Sequence, residues 1–156
     1  MQRRTLIRAL AALPVLPALS ARAATAIHVY KNASCDCRAG WVKHLSSAGF
    51  AVSVTTTDDT IAIRKKVGIP DVFGACHTAT VAGYAIEGHV PAAEIRRLLA
   101  LKPQAIGLAV PSMPVGSPGM EYGDRKDPYT VFLIDRQGRD TVFANYPKMT
   151  INAEVT

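Results

Sequence analysis

The chain lacks an apolar run long enough to cross a membrane as a helix. Its first apolar stretch, residues 9–19, is much shorter than the roughly 20 residues that a helical span requires. Three arginines precede this stretch and Ala-Arg-Ala follows at 21–23, a pattern typical of a secretory signal peptide. We expect cleavage after Ala23, so that residues 1–23 are the signal and 24–156 form one domain with no membrane span.

The arginines at the start of the chain also bear on the route of export. The order Arg3-Arg4-Thr5-Leu6-Ile7-Arg8 resembles a twin-arginine signal, which carries a folded protein across the inner membrane. We therefore expect a periplasmic protein. An uncleaved N-terminal helix that anchors the chain is the alternative.

Beyond the signal, the chain has no large excess of positive charge. Residues 1–23 contain four of the 18 basic residues and none of the 12 acidic ones, so the remainder has a net charge of about +2. No basic stripe is interleaved with aromatic residues, and we predict no nucleic-acid binding. A nucleophile-base-orienter set, a glycine-rich phosphate cradle and an H-E-x-x-H helix are also missing from the sequence.

Cysteine is scarce, and its number is odd. Pairing two of the three cysteines in an oxidising compartment leaves one thiol exposed to oxidation. A bound ligand that occupies the thiols resolves this difficulty. The alternative is one structural disulfide with a buried spare cysteine.

The hydrophobic pattern predicts the order β-α-β-α-β-β-α, which is the thioredoxin arrangement. Strands are expected at 27–30, 50–54, 78–81 and 84–86, with a turn at Ala82-Gly83 between the last two. Helices are expected at 41–48, with Trp41 on its apolar face, at 59–67, with Asp58-Asp59 able to cap its start, and at 91–99. We therefore predict an α/β, thioredoxin-like fold with a mixed central sheet flanked by helices. Residues 107–128 are predicted to be loop, and 129–134 and 141–144 a C-terminal β-hairpin.

Two cysteines, Cys35 and Cys37, lie between the first predicted strand and the first predicted helix. Backbone amides at the start of that helix favour the thiolate over the thiol, and soft metal ions need thiolates. The C-x-C spacing closes a smaller and more strained ring than the C-x-x-C pair of disulfide exchange. The motif therefore favours metal binding, and neighbouring Arg38 can help to keep the thiolates ionised.

The third cysteine directly precedes a histidine, as Cys76-His77. In a thioredoxin-like fold the segment entering this strand passes close to the first helix, which is expected to bring Cys76 near Cys35 and Cys37. Three thiolates suit Cu(I), whereas Zn²⁺ needs a fourth ligand that His77 can provide. Alternatively, Cys76 is a small buried apolar residue and His77 lies at the surface.

Two methionines, Met113 and Met120, lie in a loop rich in glycine and proline, where packing alone gives methionine little role. Thioethers are soft ligands that remain competent when thiols are oxidised. Alternatively, one or both fold back onto the core. His89 is a less favoured candidate ligand, while His28 and His44 are interpreted as structural or solvent-facing.

Several motifs occur together in residues 24–156. They are Tyr30-Lys31, Ser34-Cys35-x-Cys37, Gly40-Trp41-Val42-x-His44-Leu45, Gly49-Phe50, Thr57-Asp58-Asp59, Cys76-His77-Thr78, Glu87-Gly88-His89-Val90-Pro91, Gly107-Leu108-Ala109-Val110-Pro111 and Met113-Pro114-x-Gly116-Ser117-Pro118-Gly119-Met120-Glu121. This set resembles the CopG-type copper-resistance proteins of bacterial periplasms. Members of that family often read Cys-Gly-Cys-Cys where this chain has Cys35-Asp36-Cys37-Arg38, which leaves it one thiol short.

The resemblance implies a thioredoxin-like fold, copper binding by cysteines, a part in copper tolerance and a redox role at the metal. We also expect contact with other periplasmic copper-handling proteins. The missing thiol favours a small Cu(I) site over a multi-copper cluster. We predict a periplasmic Cu(I)-binding protein whose ligands come from Cys35, Cys37, Cys76, His77, Met113 and Met120. The alternatives are a thioredoxin-like thiol-disulfide oxidoreductase, a copper reductase, or a structural domain with a Cys37–Cys76 disulfide.

Overall fold

The computed structural model describes residues 23–32 and 38–147. The strands are β1 (Ala26–Lys31), β2 (Ala51–Thr56), β3 (His77–Val81), β4 (Tyr84–Glu87), β5 (Ala105–Ala109), β6 (Tyr129–Asp135) and β7 (Asp140–Tyr146). The α-helices are α1 (Arg38–Ser47), α2 (Thr60–Lys66) and α3 (Ala92–Leu101), with a short 3-10 helix at Asp71–Phe73. Cys35, Cys37 and almost all of the predicted signal peptide lie outside the described residues.

The strands form one sheet in the order β2-β1-β3-β4-β5-β6-β7. Strands β1 and β2 are parallel and joined through α1, whereas β3 and β4 are an antiparallel hairpin. Ala82 and Gly83 form its turn with φ values of 46° and 85°, as a tight two-residue hairpin requires. The predicted α/β fold with a mixed sheet flanked by helices is confirmed, and the thioredoxin-like label for its core stays a prediction.

The central strands β3, β4 and β5 are buried on both faces, with helices on both sides of the sheet, whereas the edge strands β2 and β7 are largely exposed. One core contains Trp41 and Leu45 of α1 with Ile95 and Leu98 of α3. The other contains Phe73 and the residues packed around it near the end of α2. Neighbouring residues of β4 and β5 alternate between the two cores, as the two-residue period of a strand demands. No helix among the described residues is long and apolar enough to cross a membrane.

Helix ends follow the signals in the sequence. The Asp59 side chain accepts a hydrogen bond of 2.8 Å from the Ala62 amide, which confirms the predicted cap of α2. Helix α3 follows Pro91, which offers no side-chain cap, and the Ala92 amide instead donates to Nε2 of His44 at 3.0 Å. His44 therefore has the structural role expected of it.

The predicted loop at 107–128 is wrong at its start, because β5 occupies Ala105–Ala109. This strand is parallel to β4 and antiparallel to β6, so it joins the C-terminal hairpin to the main sheet. Gly107 looked like a loop residue, but it marks a close approach between strands: a Cβ there would lie 1.7 Å from the Ala85 carbonyl oxygen. Leu108 and Ala109 are buried on opposite faces, so the strand has no polar alternation to reveal it.

Replacing Gly107 with alanine tests this strand. Gly107→Ala is expected to destabilise the fold by about 3 kcal/mol, since β4 and β5 must separate to make room. Gly83→Ala is the control, because a Cβ there has no neighbour within 4 Å. Its expected loss of stability is about 1 kcal/mol, which comes from the positive φ alone. Urea unfolding followed by circular dichroism measures both, and equal losses would contradict the placement of β5.

Candidate metal centre

The hairpin of β3 and β4 brings three potential metal ligands to one end of the sheet. Cys76 directly precedes β3, His77 is its first residue, and His89 lies two residues beyond the end of β4. Because the strands are antiparallel, the start of β3 lies beside the end of β4. The amide of Gly88 donates to the His77 carbonyl at 3.0 Å and extends the pairing to the ligands.

The side chains of these residues converge. The Sγ atom of Cys76 lies 3.2 Å from Nδ1 of His77 and 3.7 Å from Nε2 of His89. One ligand atom from each residue lies within 4.8 Å of the others. Both histidines are fully buried, their rings meet edge to face at 4.9 Å, and Cys76 is partly exposed. A thiolate with two imidazoles is a donor set that copper and zinc both accept.

A backbone carbonyl fixes the tautomer of His89. Its Nδ1 lies 2.9 Å from the Pro118 carbonyl oxygen, and since that oxygen can only accept, Nδ1 carries the proton. Burial lowers the pKa of His89, against the opposing effects of this hydrogen bond and the charge of Glu121. The neutral ring therefore presents the lone pair of Nε2 on the side of Cys76, as metal ligation requires.

Trp41 connects α1 to both ligand segments. Its ring lies 4.5 Å from the ring of His77, and its Nε1 donates to the Val90 carbonyl, next to His89, at 2.9 Å. The indole is fully buried and shields one side of the His77 ring from water.

The loop that contains Met120 packs against the first turn of α1. A Cβ at Gly40 would lie 2.7 Å from the Cα of Gly119, so the two backbones touch. Pro118, in the same loop, accepts the hydrogen bond from His89. Met120 is partly buried, and its amide donates to the Ser117 carbonyl at 2.8 Å to close the turn. The loop thus links His89 to the start of α1.

The predicted ligands have different positions in the structure. Cys76 and His77 lie together, and the alternative of a surface position for His77 is wrong because the residue is fully buried. Met113 is 46% exposed and lines an apolar cavity beside Phe132. The positions of Cys35 and Cys37 relative to this centre stay predictions, since both lie outside the described residues.

Sequence reasoning gave His89 too little weight. The predicted turn at 82–83 pairs residue 77 with 88 and residue 76 with 89 if the ladder is extended. This strand register, which can be read from the sequence, places His89 beside Cys76. By contrast, His28 lies on β1, where its ring nitrogens bond Ser53 and Thr55 at 2.7 and 3.0 Å, which agrees with its structural interpretation.

Two solved structures resemble this chain over most of its length. They are form 1 and form 2 of "Copper resistance protein copG", each 45% identical with a TM-score of 0.76 and covering 80% of this chain. The match spans 98% of form 1 and 99% of form 2. This chain belongs to the CopG copper-resistance family. The family membership inferred from the motifs is confirmed.

A family model described as "Protein of unknown function, DUF411" matches residues 73–120. This segment contains Cys76, His77, His89 and both loop methionines. A search of curated proteins found no match. The shared segment of the family therefore covers the candidate metal centre.

The lowered pKa values of His44, which is partly buried, and of His89, which is fully buried, predict an acid-sensitive fold. Burial lowers the pKa of His44 and His89 below the ordinary value of 6.5, so the folded protein binds fewer protons there than the unfolded chain. The unfolding free energy should therefore decrease as pH falls from about 7 towards 5, as the unfolded histidines take up protons.

His44→Gln isolates the contribution of His44 to this acid sensitivity. The glutamine side-chain oxygen can still accept from the Ala92 amide, and the other titratable groups are unchanged. Urea titrations at several pH values should give a shallower decline for the variant than for the wild type. Equal slopes would show that His44 contributes nothing to the acid sensitivity.

Proposed function

We propose that this protein binds copper as Cu(I) in the periplasm and contributes in this way to copper resistance. The observation that carries the proposal is the convergence of Cys76, His77 and His89 within 4.8 Å. The two solved structures at 45% identity, both titled as copper resistance proteins, support a copper-related role.

The donor set supports the choice of Cu(I). A thiolate and neutral imidazoles are soft to intermediate ligands, and Cu(I) accepts low coordination numbers. Donor atoms that share one ion at bonds of about 2.0–2.3 Å are separated by roughly 3.3–4.3 Å. The distances of 3.2 and 3.7 Å from the Cys76 sulfur lie close to this range. Small side-chain rotations suffice to close the triangle around one ion.

The other predicted ligands belong to the same proposal. Cys37 directly precedes α1, and α1 contributes the Trp41 ring that packs on His77. We therefore include Cys35 and Cys37 as further thiolates. Met120 is included because its turn packs on the start of α1. Met113 is included as an exposed thioether that can contact copper at the surface.

The secretory pattern at residues 1–23 supports a periplasmic location. Copper would then be exchanged with other copper-handling proteins of that compartment.

A thiol or copper oxidoreductase is the second candidate. The observation that favours it is the distance of 3.2 Å between the Cys76 sulfur and Nδ1 of His77, since a neighbouring imidazole can promote ionisation of a thiol. Reduction of insulin disulfides that depends on Cys76 and needs no metal would favour this enzyme over the binding protein.

Anaerobic titration of the reduced protein with Cu(I), against a colorimetric chelator, tests the binding site. Cys76→Ser and His89→Gln should each weaken Cu(I) binding by at least about tenfold, because each removes one ligand. Trp41 is the single tryptophan and lies 4.5 Å from His77, so Cu(I) should also quench its fluorescence.

His28→Gln is the matched control, because the ring nitrogens of this histidine bond Ser53 and Thr55 and its ring packs on Tyr30, outside the Cys76-His77-His89 group. This variant should keep the wild-type affinity. The proposed centre is wrong if Cys76→Ser and His89→Gln both bind Cu(I) as tightly as the control.

A further inference from the structure

A buried carboxylate lies behind the candidate metal centre, on the other face of the sheet. Glu87 is the last residue of β4, is fully buried, and pairs across the hairpin with Thr78 of β3. Successive side chains of a strand point to opposite faces, so Thr78 and Glu87 face away from the His77 ring. Arg64 of α2 covers them there.

The carboxylate binds the chain on both sides of Cys76-His77. Its Oε1 accepts from the Ala75 amide at 2.8 Å, and its Oε2 accepts from the Thr78 hydroxyl at 2.6 Å. Glu87 itself lies two residues before His89. One side chain therefore ties the segment that carries two of the ligands to the strand that leads to the third.

Close backbone packing leaves this segment little freedom. Gly88 has a φ of 72°, and a Cβ there would lie 2.3 Å from the Val110 carbonyl and 2.8 Å from the Ala75 side chain. A Cβ at Gly74 would lie 2.7 Å from the Arg64 guanidinium. The backbone around Ala75 is thus fitted between Arg64 and the end of β4.

The charge of Glu87 is balanced by Arg64, whose guanidinium donates to Oε1 at 3.2 Å. Arg64 also bonds Asp71 at 3.4 Å and is 7% exposed. A buried ion pair of this kind adds little stability over apolar packing, and its best-attested use is to fix one particular arrangement of the chain. Glu87 fits that use, because it accepts hydrogen bonds from three donors on two segments: Arg64 of α2, and Ala75 and Thr78 at the start of β3.

We propose that Glu87 is a positioning residue for the copper centre: it sets the distance between Cys76-His77 and His89 through Ala75 and Thr78. This inference rests on the proposed function, because it assigns Glu87 a part in the same site.

Glu94 provides a matched control. It is a buried glutamate at 1% exposure that accepts from the Tyr146 hydroxyl at 2.8 Å and from Arg97 at 2.9 Å. It lies in the first turn of α3, and these two partners, Tyr146 of β7 and Arg97 of its own helix, are not part of the segment around Cys76. Glu94→Ala and Glu87→Ala both remove a buried, paired carboxylate, but only the second touches Ala75 and Thr78.

Cu(I) competition titrations compare these variants with the wild type. Glu87→Ala should weaken Cu(I) binding by about tenfold or more, as the loss of supporting groups around a metal site does. Glu87→Gln should stay within about threefold, since its amide oxygen accepts from Ala75 and its amide nitrogen can donate to Thr78. Glu94→Ala should keep the wild-type affinity.

A second readout needs no metal. Nitrogen-15 NMR of the apo protein should show shifted imidazole signals for His77 and His89 in Glu87→Ala and unchanged ones in Glu94→Ala. If Glu87→Ala does not fold, Thr78→Val removes one hydrogen bond at constant shape. It should weaken Cu(I) binding by about threefold to tenfold and shift the same signals.

The inference is overturned if Glu87→Ala, or Thr78→Val in its place, leaves both affinity and imidazole signals unchanged, or if Glu94→Ala has the same effect. Failure of the proposed function looks different: the wild type then does not bind Cu(I), or Cys76→Ser binds it equally well. In that case the imidazole signals alone decide whether Glu87 positions the histidines.

Discussion

The antiparallel pairing of β3 and β4 is the constraint on which the rest of the site depends. The turn at Ala82-Gly83 fixes the register, and the register places Cys76-His77 beside His89. A slip of one residue would turn His77 towards Arg64 and move Thr78 to the face of Trp41. Positive φ values in a two-residue turn thus determine the chemistry at the other end of the hairpin.

The two faces of this hairpin carry different groups: the candidate ligands on one and a buried ion pair on the other. On one face, burial under Trp41 keeps His77 out of water, while the lowered pKa of His89 keeps its ring neutral and able to bind a metal. On the other face, Glu87 and Arg64 form a buried ion pair, and the Glu87 carboxylate also accepts a hydrogen bond from the Ala75 amide. Separation by the sheet keeps the carboxylate from competing with the thiolate as a ligand.

Local sequence signals predicted much of this fold because local contacts determine those elements. The turn at 82–83, the cap at Asp59 and the buried face of α1 with Trp41 each depend on residues within a few positions of one another. All of them have the structure that the pattern predicted. The mixed sheet followed from the order of these elements.

Two features depend on distant pairing, and local pattern did not reveal them. Strand β5 is buried on both faces and contains Gly107, so neither alternation nor composition marks it as a strand. His89 is a less favoured candidate ligand in the sequence, and only the register of β3 and β4 places it beside Cys76. The part of Cys35 and Cys37 remains a prediction from spacing and family resemblance.

X-ray absorption at the copper edge of the Cu(I)-loaded wild type tests the central claim most directly. The account predicts both sulfur scattering at about 2.3 Å and imidazole nitrogen scattering at about 2.0 Å, with the imidazole part reduced in His89→Gln. A spectrum with sulfur ligands alone, identical in the two proteins, would contradict a centre built from Cys76, His77 and His89.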